Sequence, residues 1–151
     1  LGPIPMKYGY DTSIQGNGGK STINPIIFRY ADAYLSLAEA LYLKNGSTAA
    51  DKEKARSLIN TIRSRAGLAE LPASAIDAQN KFVECLLKER SHEFWCENGQ
   101  YRADLIRFDK FVSHAETVKG TSYANKNKEL YPLPLSAITD GKGLVLNNPG
   151  Y

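Results

Sequence analysis

Apolar positions recur every three or four residues in four stretches of the chain, a period that predicts four amphipathic helices. In the first stretch Ile27, Tyr30, Ala31, Tyr34, Leu37, Ala38, Leu41 and Tyr42 form a wide stripe. Asn24 and Pro25 suit an N-cap and a first helical position, and Asn45-Gly46 suits a left-handed cap, so this helix is expected over residues 25–44. The second, over residues 48–66, turns Ala55, Leu58, Ile59, Ile62 and Ala66 inward. It opens on Thr48-x-x-Asp51, a capping-box pattern with Asp in place of Glu, and stops at Gly67. The third, over residues 77–98, carries Phe82, Val83, Leu86, Leu87, Arg90, Phe94 and Trp95 on one side and breaks at Asn98-Gly99. The fourth, over residues 100–112, carries Tyr101, Leu105, Phe108, Phe111 and Val112.

Outside these stretches the period is lost. Residues 1–24 are rich in glycine and proline and read as a loop or hairpin, with weak strand pairing possible around Tyr8 and Tyr10. Residues 113–130 read as a polar loop, and 131–151, with Pro132, Pro134 and Pro149, as extended or turn-like. The expected fold is therefore mainly α: two helical hairpins in series, at 25–67 and 77–112, with long irregular segments at 1–24 and 113–151. The first hairpin resembles a tetratricopeptide unit. Tyr34, Leu37, Ala38 and Leu41 meet the first-helix pattern, and Ala55 and Ile59 loosely meet the second. Ala38 stands where a small side chain lets two helix backbones approach. The second hairpin fits the pattern poorly, and two units are fewer than the roughly three a free-standing solenoid needs.

Composition narrows the function classes. With 19 basic and 16 acidic residues the net charge is +3, and the basic residues are dispersed among acids, which argues against a nucleic-acid partner. No apolar run approaches the roughly 18 residues of a membrane span. Leu1 opens a loop with no initiator Met and no signal peptide, so the chain is expected to be a piece of a longer or processed product. Cys85 and Cys96 would lie roughly 16 Å apart on one continuous helix. A disulfide needs Cα atoms within about 7 Å, so two free thiols are expected. These cysteines with His92 and His114 do not have metal-ligand spacing, and no metal or cofactor is expected.

Residues 88–108, "KERSHEFWCENGQYRADLIRF", interleave charges of both signs with Phe94, Trp95, Leu105 and Phe108. Three readings compete: a solvated helix surface, a catalytic cluster, or a structural ion-pair belt. Glu89, Glu93 and Glu97 recur at four-residue intervals as an acidic ridge. A catalytic pair would need environments that separate the two pKa values, whereas here each glutamate has arginines near it to keep it ionised. No nucleophile motif or phosphate loop accompanies them. The belt reading is preferred, with Glu93 or Glu97 pairing Arg102 or Arg107 as the fourth helix folds back on the third. Trp95, mid-helix, is expected in the core.

"NPIIFRYADAYLSLAEALYLKNG", "ARSLINTIRSRAGL", "LLKERSHEFWCENGQYRADLIRF", "YPLPLSAI" and a closing "NNPGY" occur in that order. Together, over residues 24–151, they resemble the C-terminal region of the SusD/RagB family of outer-membrane nutrient-binding lipoproteins of Bacteroidetes. One departure is visible: that family usually has Glu-Gly-x-Arg where this chain has Glu97-Asn98-Gly99-Gln100-Tyr101-Arg102.

The resemblance implies a mostly helical, non-catalytic protein on the cell surface. It would be lipid-anchored through an N-terminal region absent from this chain, bind an oligosaccharide or other nutrient, and cap a SusC-like TonB-dependent transporter. Neither Cys85 nor Cys96 can be the lipidated residue, since both are internal. The resemblance carries over no binding residue. Tyr8, Tyr10, Asp11, Tyr123 and Asn125 are candidates on chemical grounds: aromatic faces stack on pyranose rings and polar neighbours take the hydroxyls. The alternative is a tetratricopeptide-like module that binds a protein or peptide through a groove lined by Tyr30, Tyr34 or Tyr42, with no sugar site.

Overall fold

The computed structural model of the chain describes residues 7–9, 23–97 and 99–151. The described residues form six α-helices joined by turns and short 3-10 segments, with no strand among them. The chain divides into two compact units, residues 1–101 and 102–151. The proposed hairpin at 1–24 lies mostly outside the described residues.

The first unit is built on α1 (Tyr30–Leu43), α2 (Ala49–Arg65) and α3 (Gln79–Glu93). α1 and α2 form a helical hairpin, α3 packs on α1, and a 3-10 turn at Ala73–Ile76 leads into α3. Gly46 and Gly67, at φ +70° and +72°, follow the ends of α1 and α2 in a left-handed conformation that glycine adopts without strain. The capping box at the start of α2 is formed: the Thr48 hydroxyl accepts from the Asp51 N–H, and the Asp51 carboxylate accepts from the Thr48 N–H. A hydrogen bond from Lys44, joined by those from Thr48, holds the Asp51 carboxyl down at about 2.

Leu35, Ile59, Phe82 and Leu86 are fully buried. Burying an aliphatic or aromatic side chain of this kind contributes about 1.5–3 kcal/mol. The buried stripe of α1 is Ala31, Leu35, Ala38 and Tyr42, rotated from the expected one. Tyr30 and Leu37 are 74% and 48% exposed. α1 turns a narrow, alanine-bearing edge toward its neighbours, and the larger residues beside that edge remain outside. Ala38 is fully buried, in keeping with a close helix approach. Ala38→Leu is expected to overpack it and lower stability by about 1–3 kcal/mol, seen as a lower urea midpoint with unchanged slope.

Local signals overestimated two helices. α1 begins at Tyr30, because residues 23–29 are not helical and Arg29 is extended at φ −132° and ψ 153°. α3 ends at Glu93, because Phe94 to Glu97 turn away, with Cys96 at φ +61°. Trp95 sits on that turn and is 65% exposed, so the core position expected for it is corrected. Cys85 and Cys96 are both free thiols.

α4 (Gln100–Arg107) spans the boundary between the units, and the second unit continues with α5 (Phe111–Lys119) and α6 (Leu135–Asp140). The single helix expected over 100–112 is thus divided, with Asp109 at φ +54° in the break. Helix α5 occupies the first third of the expected polar loop. It has no buried residue, and its apolar positions Phe111, Val112, Ala115 and Val118 are divided between the expected fourth helix and the expected loop. Short 3-10 turns follow at Thr121–Tyr123 and Lys126–Glu129.

Candidate functional site

The acidic ridge is tied to cations of the first unit. Arg29 donates from Nε to both carboxylate oxygens of Glu97, at 3.1 and 3.0 Å. Its Nη1 reaches the Glu93 carboxylate and its Nη2 the Glu93 carbonyl, at 2.7 Å. That carbonyl is one of the orphan acceptors a helix leaves at its C-terminal end. Arg29 therefore caps α3 from a distant part of the sequence. Lys7 also pairs with Glu97 and donates to the Glu93 carbonyl, and Arg65 of α2 pairs with Glu93. Arg63 pairs with Glu89, and Arg90 with Asp32 at 2.7 Å. Phe94, buried, has the guanidinium carbons of Arg29 and Arg90 at 5.2 and 5.1 Å from its ring centre.

Burial pushes the Glu93 and Glu97 carboxyls up. Hydrogen bonds from Arg65 and Arg29 to Glu93, and from Arg29 and Lys7 to Glu97, outweigh that and leave both below the ordinary value. Two carboxylates held ionised in this way offer no poised acid.

Among the described residues of the first unit, Glu93 and Glu97 pair with Arg29, Arg65 and Lys7. Arg102 and Arg107, the partners expected from the sequence, belong to the second unit and have contacts within it. Arg107 pairs with Asp104 one turn back, at 2.9 Å. Arg102 lies 5.0 Å from the Phe111 ring centre and 4.2 Å from that of Tyr131, and donates to the Lys128 and Glu129 carbonyls at 2.6 and 3.1 Å.

Of the sugar-binding candidates, Tyr10 and Asp11 lie outside the described residues. The Tyr8 hydroxyl accepts from the Ile26 N–H at 3.3 Å, a contact that fastens its own segment. Asn125 caps the 3-10 turn at 126–129, its Oδ1 accepting from the Asn127 N–H at 2.9 Å. Tyr123, on the neighbouring turn, is 58% exposed, with Lys119 Nζ 5.9 Å from its ring centre. Tyr123 and Asn125 thus share one short segment of the second unit, and Tyr8 belongs to the first.

Two open clefts flank the outer side of α2. One, of about 370 Å³, is lined by Tyr30, Tyr34 and Leu37 of α1 with Lys54, Leu58 and Thr61 of α2. Tyr30 and Tyr34 meet edge to face at 5.0 Å. The other, of about 380 Å³, is polar, with Glu53, Arg56, Asn60 and Glu70 around it. Tyr42 takes no part in the first cleft: it is buried, and its hydroxyl donates to the Ile76 carbonyl at 2.6 Å. Among the described residues no group of His, Cys, Asp and Glu could hold a metal ion. No described helix is long and apolar enough to cross a membrane.

The described residues thus amount to a helical scaffold that presents aromatic faces to solvent and keeps its acidic cluster internally paired. Sequence comparison places this scaffold. A profile of the SusD family matches residues 2–151, and the chain belongs to that family. It is 30% identical over 132 residues to the starch-binding protein SusD of Bacteroides thetaiotaomicron, a match covering 83% of this chain and 21% of that protein. It is 28% identical over 155 residues to SusD-like protein P2 of Formosa agariphila, covering 98% of this chain and 30% of that protein. The chain therefore spans less than a third of the length of either relative. No solved structure matches it.

Proposed function

We propose that this chain is part of a non-catalytic glycan- or nutrient-binding protein of the cell surface. It would assist uptake through a SusC-like TonB-dependent outer-membrane transporter, with a lipid anchor outside these residues. The observation that carries the reading is the family match along nearly the whole chain, supported by a relative named for binding starch. The geometry agrees with binding rather than chemistry, because the ridge glutamates are committed to Arg29, Arg65 and Lys7. Within the chain Tyr123 has the most available aromatic face of the described candidates, with Asn125 beside it; Tyr10 and Asp11 stay as candidates on chemical grounds. Loops alone rarely enclose a sugar, so the site would need further polypeptide as a facing wall.

Calorimetry with starch-derived and host-type oligosaccharides tests this. The full-length protein is expected to bind, and the 151-residue chain weakly or not at all. Tyr123→Ala in the full-length protein should weaken binding about threefold to tenfold, the size of one aromatic contact. Release of reducing sugar, abolished by Glu93→Gln or Glu97→Gln, would overturn the reading. The cleft lined by Tyr30, Tyr34 and Leu37 favours a second reading, a peptide- or protein-binding face. Competition by a peptide for a surface containing Tyr30, with no oligosaccharide bound, would support that one instead.

A further inference from the structure

We infer that residues 147–151 are a clasp that holds segment 121–131 in place and thereby sets the pose of Tyr123 and Asn125. The last clause rests on the reading that this segment meets the ligand.

Four hydrogen bonds and one cation–ring contact make the clasp. The Leu133 N–H donates to Asn147 Oδ1 at 2.9 Å. Asn148 Nδ2 donates to the Tyr131 carbonyl at 2.7 Å. The Tyr151 hydroxyl donates to the Leu130 carbonyl at 3.0 Å. Lys128 Nζ donates to the Gly150 carbonyl at 3.2 Å and stands 3.7 Å from the centre of the Tyr151 ring. Each contact joins one residue of 147–151 to one of 128–133, so the two pieces of chain are laced side by side.

Gly150 shows how close the approach is. Its φ is +89°, and a Cβ placed on it would lie 3.0 Å from Asn127 Cβ. A side chain there would be strained by the conformation and would require Asn127 to give way by a few tenths of an ångström. From Asn127 the connection runs to the ligand candidates through backbone and cap: the Asn127 N–H is held by Asn125 Oδ1, the Lys128 N–H by the Asn125 carbonyl at 3.1 Å, and the Asn125 N–H by the Tyr123 carbonyl at 2.9 Å. Arg102 takes the Lys128 and Glu129 carbonyls. The four carbonyls of the strap at 128–131 are thus taken by Arg102 and by the clasp. None of its residues is buried, so hydrogen bonds rather than apolar packing must order it.

The test is amide hydrogen exchange on the full-length protein carrying Gly150→Ala, Asn147→Ala or Tyr151→Phe. Exchange at Leu133 should rise about fivefold to tenfold in Asn147→Ala, the effect of one lost hydrogen bond. In Gly150→Ala the rise should spread to Lys128 and Asn125, while amides of α1 to α3 stay unchanged. Unchanged exchange over 123–133 in all three variants would overturn the clasp. Binding of the oligosaccharide panel is the second arm. Weaker binding in Gly150→Ala, with the melting temperature kept, supports the pose-setting role, and unchanged binding despite faster exchange overturns that role. If the wild-type protein binds no oligosaccharide, the glycan reading fails while the exchange arm still decides the clasp.

Discussion

Replacing Arg29 with alanine is expected to lower stability by about 3 kcal/mol, the low end of what removing one partner of a buried charge pair costs. One guanidinium holds the Glu97 carboxylate, the Glu93 carboxylate and the Glu93 carbonyl, and it lies against the buried Phe94 ring. Its loss leaves two largely buried carboxylates with only Lys7 and Arg65, which keeps the effect from being larger. Arg29→Lys should recover little, because an ammonium cannot span two carboxylates and a carbonyl with a planar fork. Acid gives a second readout. Both carboxyls lie below the ordinary 4.5, so their contribution is fully present above about that pH and is lost as pH falls through the lower folded values. In Arg29→Ala, burial is less opposed and the carboxyls should titrate higher, so the acid-dependent loss should still begin near the ordinary value but be complete at higher pH and be smaller. Urea midpoints for wild type and variant between pH 3 and 7 check both points. Equal midpoints throughout would mean that the cluster is a solvated surface.

How far the sequence could be read is clear from particular residues. Thr48 and Asp51 are three apart and decide their own contact, so the start of α2 was legible to the residue. Gly46 and Gly67 marked helix ends for the same local reason. Glu93 and Glu97 were legible as members of an ion-pair belt from their four-residue spacing beside Phe94. Their partner Arg29 lies 64 and 68 residues away, where no spacing rule reaches. α1 begins at Tyr30 and α3 ends at Glu93, inside the limits that Asn24-Pro25 and Asn98-Gly99 suggest. α5 is hard to read because Phe111 and Val112 also extend the period of the preceding helix, and Trp95 reads as core only if α3 continues through the turn at 94–97. Of the candidate site, the residue types were legible and their commitments were not. Tyr8 and Asn125 look alike on paper as polar loop residues, yet each already has a structural hydrogen bond, and Tyr123 keeps an exposed ring. The ordered motifs were informative for a different reason: they are scaffold, and scaffold is what identifies the family.

Phe82→Ala is the substitution expected to cost most, about 3–5 kcal/mol. Phe82 is fully buried, and its ring stacks on that of Tyr42 with centres 3.8 Å apart and planes 2° from parallel. Tyr42 in turn donates to the Ile76 carbonyl, and Lys52 Nζ stands 5.1 Å from its ring centre. The stack is therefore where α1, α2, the 3-10 turn at 73–76 and α3 meet, and truncating it leaves a cavity that helices held on several sides cannot close. Against a total stability of about 5–15 kcal/mol for a domain, that is a large fraction. Tyr42→Phe, which keeps the ring and removes one hydrogen bond, should cost only about 1 kcal/mol. Urea unfolding of the three proteins gives the comparison, and a loss under about 1 kcal/mol for Phe82→Ala would show that the stack is not the centre of the core. The same series separates scaffold from site. Tyr123→Ala removes an exposed ring and should change stability by no more than about 0.5 kcal/mol. It is nevertheless expected to weaken oligosaccharide binding, whereas Phe82→Ala should weaken binding only at temperatures where it also unfolds. If Tyr123→Ala bound oligosaccharide as wild type does, while Phe82→Ala lost binding when still folded, the ligand would belong to the helical unit rather than to the loop.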